Sequence, residues 1–182
     1  MDCLQGQFLV ASPQLCDPHF AQTVVLIVQH DEDGTLGVVL NRPGSMTLAE
    51  GWTQVSAAPC ERDAILHEGG PCEGPLIALH THAEQSQIDI MPGVCFSTRA
   101  DAVAWLVTSG DMPLKFIVGF SGWSPGQLES ELAEKAWQVV PAVKEWIFNT
   151  PADLWGMLMR RQSRPRYQGM KDSIVPPDPS WN

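Results

Sequence analysis

The sequence predicts an α+β domain built on a mixed β-sheet, and two observations support this prediction. Strand-like segments occur in adjacent runs near the N-terminus and also between helical segments further along the chain. That order is typical of α+β proteins rather than of strictly alternating, doubly wound ones. The segment from Gly119 to Glu129 also packs three glycines and a proline between two apolar stretches, so it predicts a strand, a turn and a helix start together.

The first three strands are predicted at residues 7–11, 23–29 and 35–40. The second contains a continuous apolar run, Val24 to Val28, which indicates burial on both faces. A four-residue turn, Asp31 to Gly34, separates the second strand from the third. We therefore expect these two strands to form an antiparallel hairpin.

A short helix is predicted to begin after Thr47 and to run through Gln54. Glu50 stands three residues after Thr47, which is the spacing of a capping box. Further short strands are predicted at residues 64–66, 76–79 and 88–91.

A second helix is predicted to open at Thr98 and Asp101 and to end at Gly110, because glycine readily adopts the left-handed conformation that stops a helix. We expect Ala102, Trp105 and Leu106 to lie on its inner face.

The second half of the chain continues with a strand at residues 114–120 and a helix whose start is marked by Ser124, Pro125 and Gln127. Another strand is predicted at residues 136–140. A last helix is predicted to follow Pro151 and to end at the basic pair of residues 160–161, where cations favour the helix dipole.

Charge is distributed unevenly along the 182 residues. Residues 1–159 hold six basic and nineteen acidic side chains, a net charge of −13, whereas residues 160–182 hold five basic and two acidic ones. We expect one domain over residues 1–161 and a mobile, Pro-rich basic tail over residues 162–182. Because DNA affinity comes mostly from Lys and Arg at phosphates, direct DNA binding by the acidic domain is not expected.

The N-terminal residues hold no basic n-region and their longest apolar patch is only Phe8 to Ala11, so no secretory signal is expected; no apolar run approaches the roughly 20 residues of a membrane helix. The five cysteines form no C-x-x-C pair, which suits reduced thiols. We therefore expect a cytoplasmic protein without membrane contact.

Several motifs, in this order along the chain, resemble the AlgH/YqgE family. They are Leu9 to Pro13 with Asp17 and Phe20, Val24 through His30 to Gly34, Leu36, Gly37, Asn41 to Pro43, Gly69 to Pro71, and Gly119 to Glu129 with Trp137. The resemblance spans most of residues 7–159. It implies a bifurcated mixed sheet, partly closed into a pseudo-barrel, with flanking helices. Members of this family are often labelled transcriptional regulators, but their biochemical activity is unassigned. The basic tail and the number of cysteines depart from the family pattern.

One candidate ligand site lies at the predicted helix start. Free N–H groups after Ser124, with Trp123 as an apolar wall and Gln127 as a polar group, are suited to a small anion or polar ligand. Arg42, in the loop that begins at Asn41, is the expected partner for a carboxylate or phosphate. The favoured alternative is an internal ion pair between Arg42 and an acidic side chain, with Glu129 and Asp17 as the two candidates.

Ser121 is a candidate nucleophile in a sequence that approaches G-x-S-x-G. The strict motif fails because Trp123 stands where glycine is required. The favoured alternative is structural: Gly119 and Gly122 permit close backbone approach, while Ser121 and Ser124 satisfy the helix start. Likewise, Gly69 and Gly70 form a tight turn more readily than a phosphate loop, because no Walker A pattern follows.

His80 and His82 are two residues apart, so on a strand they would face the same side. A metal site would need a third ligand, for which His67, Cys72 and Glu84 are the candidates. Two ligands alone do not predict a site. We therefore predict neither a metal nor a cofactor.

Three functions follow from these residues. The leading one is a non-enzymatic cytosolic regulatory module that acts through a protein partner or small ligand, with any effect on transcription indirect. The alternative is a small enzyme that uses a pocket around Asn41, Arg42 and residues 121–129. The third is nucleic-acid binding by the basic tail.

Overall fold

The computed structural model describes residues 3–56, 59–60, 62–108 and 113–163. Over these residues the chain forms eleven strands and five α-helices, in the order β1 Gln7–Ala11, β2 Val24–Asp31, β3 Gly34–Val39, β4 Pro43–Thr47, α1 Leu48–Val55, β5 Ile65–Glu68, β6 Ile77–His80, β7 Ile88–Met91, β8 Val94–Ser97, α2 Ala100–Thr108, β9 Leu114–Val118, β10 Ser121–Trp123, α3 Gln127–Ala133, β11 Trp137–Pro141, α4 Lys144–Phe148 and α5 Leu154–Ser163. The predicted α+β class is confirmed.

The strands form two sheets. One is antiparallel, with the order β10-β3-β2-β1-β11, and contains the predicted hairpin of β2 and β3. The other has the order β4-β5-β9-β6-β8-β7 and is mixed, because β5 and β9 run parallel while its other pairs are antiparallel. Within the described residues the two sheets do not close into a barrel.

Three of these strands, β4, β8 and β10, are absent from the sequence prediction, which placed residues 121–123 in the loop before α3. Most of β4 is exposed and it begins with Pro43 and Gly44, both poor strand formers, so it carries no apolar alternation. β8 has only four residues and follows Gly93 directly, so it is too short to show a period. All three strands owe their place to pairing with neighbouring strands rather than to local preference.

The helix starts show which local signals are reliable. The predicted capping box is confirmed: Thr47 Oγ1 accepts from Glu50 N at 3.2 Å, and Glu50 Oε2 accepts from Thr47 N at 2.8 Å. On α2 the predicted inner face is wrong at Trp105, which is 39% exposed, while Val103 and Val107 are buried instead. The predicted stop of α2 at residue 110 lies outside the described residues.

α3 starts later than the sequence indicates. Its N-cap is Gly126, with a φ of 77°, and neither Ser124 nor Ser121 supplies a capping side chain. Ser124 N instead donates to Gln127 Oε1 at 3.1 Å. A short helix, α4, was not predicted, and α5 continues to Ser163, so the predicted tail lies outside the described residues from residue 164 onwards.

Three apolar clusters show how the two sheets and the helices pack in layers. The central cluster contains residues of both sheets together with Ile147, Leu154 and Leu158 of the last two helices, so it lies between the sheets. A second cluster covers the other face of the antiparallel sheet beneath α3. A third covers the outer face of the mixed sheet beneath α1 and α2.

The chain passes from one sheet to the other at residues 40–42 and at residues 119–121, and the turn at residues 69–72, which leads from β5 towards β6 within the mixed sheet, lies beside both crossings. We call this place the joined corner. Val39 N donates to the Gly69 carbonyl at 2.9 Å, and Gly69 N donates to the Val118 carbonyl at 2.8 Å. Cys72 and Phe120 form an isolated antiparallel bridge beside them. These bonds link the sheets and give the bifurcation that the resemblance implies.

None of the helices within the described residues is both long and apolar enough to cross a membrane.

Candidate functional site

Asn41 stabilises a loop at the joined corner. Its Oδ1 accepts from Val24 N at 2.8 Å, and its Nδ2 donates to the Gln22 carbonyl at 2.9 Å. Gln22 has a φ of 58°, a conformation that non-glycine residues rarely adopt. The Asn41 amide therefore holds the turn that leads into β2.

Arg42 does not form the predicted ion pair. Its guanidinium donates to the carbonyls of Pro18 at 2.8 Å and Ala21 at 3.4 Å, so it is bound to the backbone of the loop before β2. Beside it lies a cleft of about 40 Å³ lined by His19, Val39, Arg42, Glu68 and Gly70. Ligand pockets usually enclose several hundred Å³. This cleft has room for little more than water.

Ser121 lies behind the Gly69–Gly70 turn and is fully buried. Its Oγ donates to the Gly69 carbonyl at 3.1 Å. A Cβ on Gly69 would lie 2.3 Å from the Gly119 carbonyl oxygen, so the turns pass each other in direct backbone contact. A hydroxyl without solvent access and with its proton engaged is unsuited to nucleophilic attack.

Trp123 belongs to the core beneath α3. It is 5% exposed and packs against Phe20 and Trp137, with ring centroids 6.0 and 5.9 Å away. Its Nε1 donates to Glu131 Oε2 at 2.9 Å. The predicted apolar wall for a ligand is thus an interior side chain.

Gln127 is engaged in bonds along its own helix. Its Oε1 accepts from Ser124 N, and its Nε2 donates to Glu131 Oε1 at 2.9 Å. The polar group predicted to contact a ligand therefore stabilises the start of α3.

A larger groove lies where the hairpin tip meets α3, and we call it the tip groove. It encloses about 380 Å³ and is lined by Cys3, His30, Asp31, Glu32, Pro125, Gly126 and Glu129. The pairing of Trp123 with Thr35 on β3 brings the start of α3 to this end of the hairpin.

His30 and Glu129 form the wall of the tip groove. His30 Nε2 lies 2.9 Å from Glu129 Oε1, and His30 Nδ1 accepts from Leu4 N at 3.1 Å. Since Nδ1 is an acceptor, the neutral ring carries its proton on Nε2 and donates it to the carboxylate. The hydrogen bond from His30, with that from the Glu129 backbone N–H, lowers the pKa of Glu129.

The tip groove is acidic. The Asp31 carboxyl also has a lowered pKa, chiefly because of a hydrogen bond from the Gln29 side chain. Of the described residues that line the groove, none is Lys or Arg. A cation is therefore favoured here by Coulomb attraction, whereas the anion predicted at the start of α3 would be repelled.

The structure divides the residues predicted to share one pocket. Arg42, Gly69, Gly70 and Ser121 meet at the joined corner, while Glu129 lies at the tip groove. The joined corner and the tip groove lie at opposite ends of β3. Because β3 has six residues, its two ends are about 17 Å apart. The sequence reasoning missed His30 and the hairpin carboxylates as site residues, although an acidic turn and an acidic helix were both visible.

The two histidines predicted to share one face of a strand do not do so, because β6 ends at His80 and His82 lies beyond it; the His80 ring is engaged internally. His82 N donates to His80 Nδ1 at 3.2 Å, so His80 Nε2 donates to Ser97 Oγ at 3.1 Å, and Ser97 Oγ donates to the Gln85 carbonyl. Burial, and then the charge of His82, lower the pKa of His80. No cluster of three or more His, Cys, Asp or Glu side chains that could hold a metal occurs among the described residues.

A buried lysine lies in the central core. Lys115 is 5% exposed, and its Nζ donates to Thr150 Oγ1 and, at 3.3 Å, to the Leu40 carbonyl. Burial lowers its pKa from 10.5 to about 8. Burial, and then the Lys115 charge, lower the pKa of His67 from 6.5 to about 4.

Replacing Lys115 with Met tests this burial. Between pH 8 and 10.5 the unfolded state of the wild type binds more protons than the folded state, so its free energy of unfolding rises with pH. We expect the wild type to gain about 3 kcal/mol over this range relative to Lys115→Met. Urea unfolding at both pH limits measures the difference, in which the titration of other groups cancels. If the free energies of unfolding of the wild type and Lys115→Met changed with pH in parallel, the lowered pKa of Lys115 would be contradicted.

Comparisons with known proteins agree with one another. A family model described as AlgH-like matches residues 8–166. A UPF0301 protein of Streptomyces avermitilis is 34% identical over 98% of this chain and 95% of its own length, and one of Pseudomonas fluorescens is 38% identical over 83% and 84%. The solution structure of the AlgH protein from Pseudomonas aeruginosa superposes with a TM-score of 0.77 at 32% identity, covering 89% of this chain and 90% of that one. A crystal structure of protein DIP2367 from Corynebacterium diphtheriae gives 0.69 at 26%, covering 91% and 90%.

Proposed function

The chain belongs to the AlgH-like family, and we propose that it is a non-enzymatic regulatory module that binds a basic segment of a protein partner in the tip groove. The observation that carries this proposal is the set of three carboxylates, those of Asp31, Glu32 and Glu129, around a groove of about 380 Å³. Ionised carboxylates in a concave site are complementary to Lys and Arg side chains.

The other polar candidates support binding rather than catalysis. Ser121 is buried with its hydroxyl bonded, and Arg42 is bonded to two backbone carbonyls. Both ring nitrogens of His30 have partners, so this ring holds no free base for proton transfer. These side chains are held by hydrogen bonds within the fold and offer no free nucleophile or base. The tip groove is therefore suited to act through its charge and its shape.

A protein partner suits the charge of the whole domain. Residues 1–159 carry a net charge of −13, which repels nucleic acid and raises the rate of encounter with basic surfaces. We propose that the protein works in the cytoplasm and that any effect on transcription passes through the partner.

Binding of a fluorescein-labelled peptide in which Arg alternates with Gly tests the proposal by fluorescence anisotropy. Glu32→Gln combined with Glu129→Gln should weaken binding about ten-fold, since two carboxylates near a cation contribute roughly 1 kcal/mol or slightly more together. Affinity should also fall as NaCl rises from about 20 to 200 mM.

The matched control is Glu84→Gln combined with Glu134→Gln, two exposed residues outside the tip groove that change the net charge equally. We expect the control to bind like the wild type. If the two double variants weaken binding equally, the attraction belongs to the whole surface and the proposed site is wrong.

A further inference from the structure

A second concave site lies on the far side of the molecule from the antiparallel sheet, between α1 and α2. This indole pocket has a volume of about 300 Å³, and its walls include Trp52, Pro75, Leu76, Ala100, Val103 and Ala104. Its lining is mainly apolar, and its size falls within the range of small-molecule sites. Ala100 and Ala104 open the space, because the short side chains of α2 leave the groove between the helices unfilled.

The indole of Trp52 is the unusual feature of this pocket. Trp52 is 4% exposed, and its Nε1 is buried without a hydrogen-bond partner among the residues that the structure describes. Trp123 and Trp137 both donate to Glu131, and Trp155 donates to the Ala11 carbonyl at 2.7 Å. A buried donor without an acceptor is unfavourable, so an acceptor that enters beside Trp52 gains affinity by pairing with it.

We propose that the indole pocket binds a small, mainly apolar molecule with a neutral hydrogen-bond acceptor, such as a ketone or amide carbonyl, which accepts from Trp52 Nε1. The acceptor is neutral because the named walls hold no cation and the domain carries a strong negative charge. The apolar part of the ligand fills the space over Ala100 and Ala104. This site is independent of the tip groove.

Acetophenone and ethylbenzene form a matched pair of probes, since they share size and shape and only the ketone can accept a hydrogen bond. Both are titrated into the full chain while ¹H–¹⁵N spectra follow the indole N–H signals. We expect acetophenone to shift the Trp52 indole signal saturably and to bind about ten-fold more tightly than ethylbenzene. The Trp52 signal is assigned from its loss in Trp52→Phe.

Two variants separate the contribution of the hydrogen bond to probe affinity from that of the pocket volume. Trp52→Phe should make the affinities of the two probes equal, because the pocket remains but the donor is lost. Ala104→Leu should weaken both probes at least ten-fold by filling the pocket, with the dispersion of the spectrum showing that the chain is folded. Equal affinity of the two probes for the wild-type chain, or the absence of a saturable shift, overturns the proposal without recourse to either variant.

Discussion

Gly70→Ala is expected to lower the free energy of unfolding by about 4 kcal/mol. Gly70 has a φ of 149°, and a Cβ there would lie 2.4 Å from the Phe120 carbonyl oxygen and 2.3 Å from Ser121 Oγ. The Phe120 carbonyl belongs to the backbone, so it cannot rotate away from the new methyl group as a long side chain can. Because domains of this size are stable by about 5–15 kcal/mol, this one methyl group removes a large part of the total.

Gly126→Ala is the matched control for this change. Gly126 also has a positive φ, 77°, but a Cβ there meets nothing within 4 Å. Only the backbone strain of a left-handed residue remains, about 1 kcal/mol. Urea unfolding followed by circular dichroism compares the two. Equal losses would mean that the contact between the turns at the joined corner is looser than the structure shows.

The parts of the fold that the sequence predicted are those determined by neighbouring residues. The hairpin of β2 and β3 follows from an apolar run, a turn and a second strand. The capping box of Thr47 and Glu50 is likewise contained within four residues. In both cases the partners are close along the chain, so their geometry is set before any distant packing.

The location of the site depended on pairings between distant residues. Trp123 pairs with Thr35 across 88 positions, and this register alone decides that Glu129 meets His30 rather than Arg42. No local pattern encodes that choice. The glycine motifs were visible, but the backbone contact by which they hold the two sheets together emerges only when residues 69–72 and 119–121 are placed together.

The same limit applies to the indole pocket. Leu48 and Trp52 are four residues apart on α1 and both are buried, but this spacing cannot show whether the Trp52 N–H finds an acceptor. On α2 the helical period predicted Trp105 on the inner face. In the structure Val103 and Val107 are buried against the mixed sheet instead, and Trp105 is exposed. Sites made by missing partners are therefore visible only in three dimensions.

Glu131 is the residue whose loss should damage the region beneath α3 most. Its Oε2 accepts from Trp123 Nε1 at 2.9 Å and from Trp137 Nε1 at 2.7 Å. Both indoles are at least 95% buried, so neither can turn to water if the carboxylate is removed. We expect Glu131→Ala to cost about 4 kcal/mol of unfolding free energy, since it leaves two buried donors unpaired.

Glu131→Gln separates the hydrogen bonds from the negative charge. Its amide oxygen can still accept from an indole, so we expect a loss of only about 1–2 kcal/mol. Urea unfolding measures both variants, and tryptophan fluorescence reports whether the cluster of Trp123, Trp137 and Phe20 loosens. If Glu131→Ala is no less stable than Glu131→Gln, the two indoles find other acceptors and Glu131 does not hold α3 against the sheet. A large difference in unfolding free energy between Glu131→Ala and Glu131→Gln identifies this carboxylate as the group that fixes α3. Through α3 it then also fixes the position of Glu129 in the tip groove.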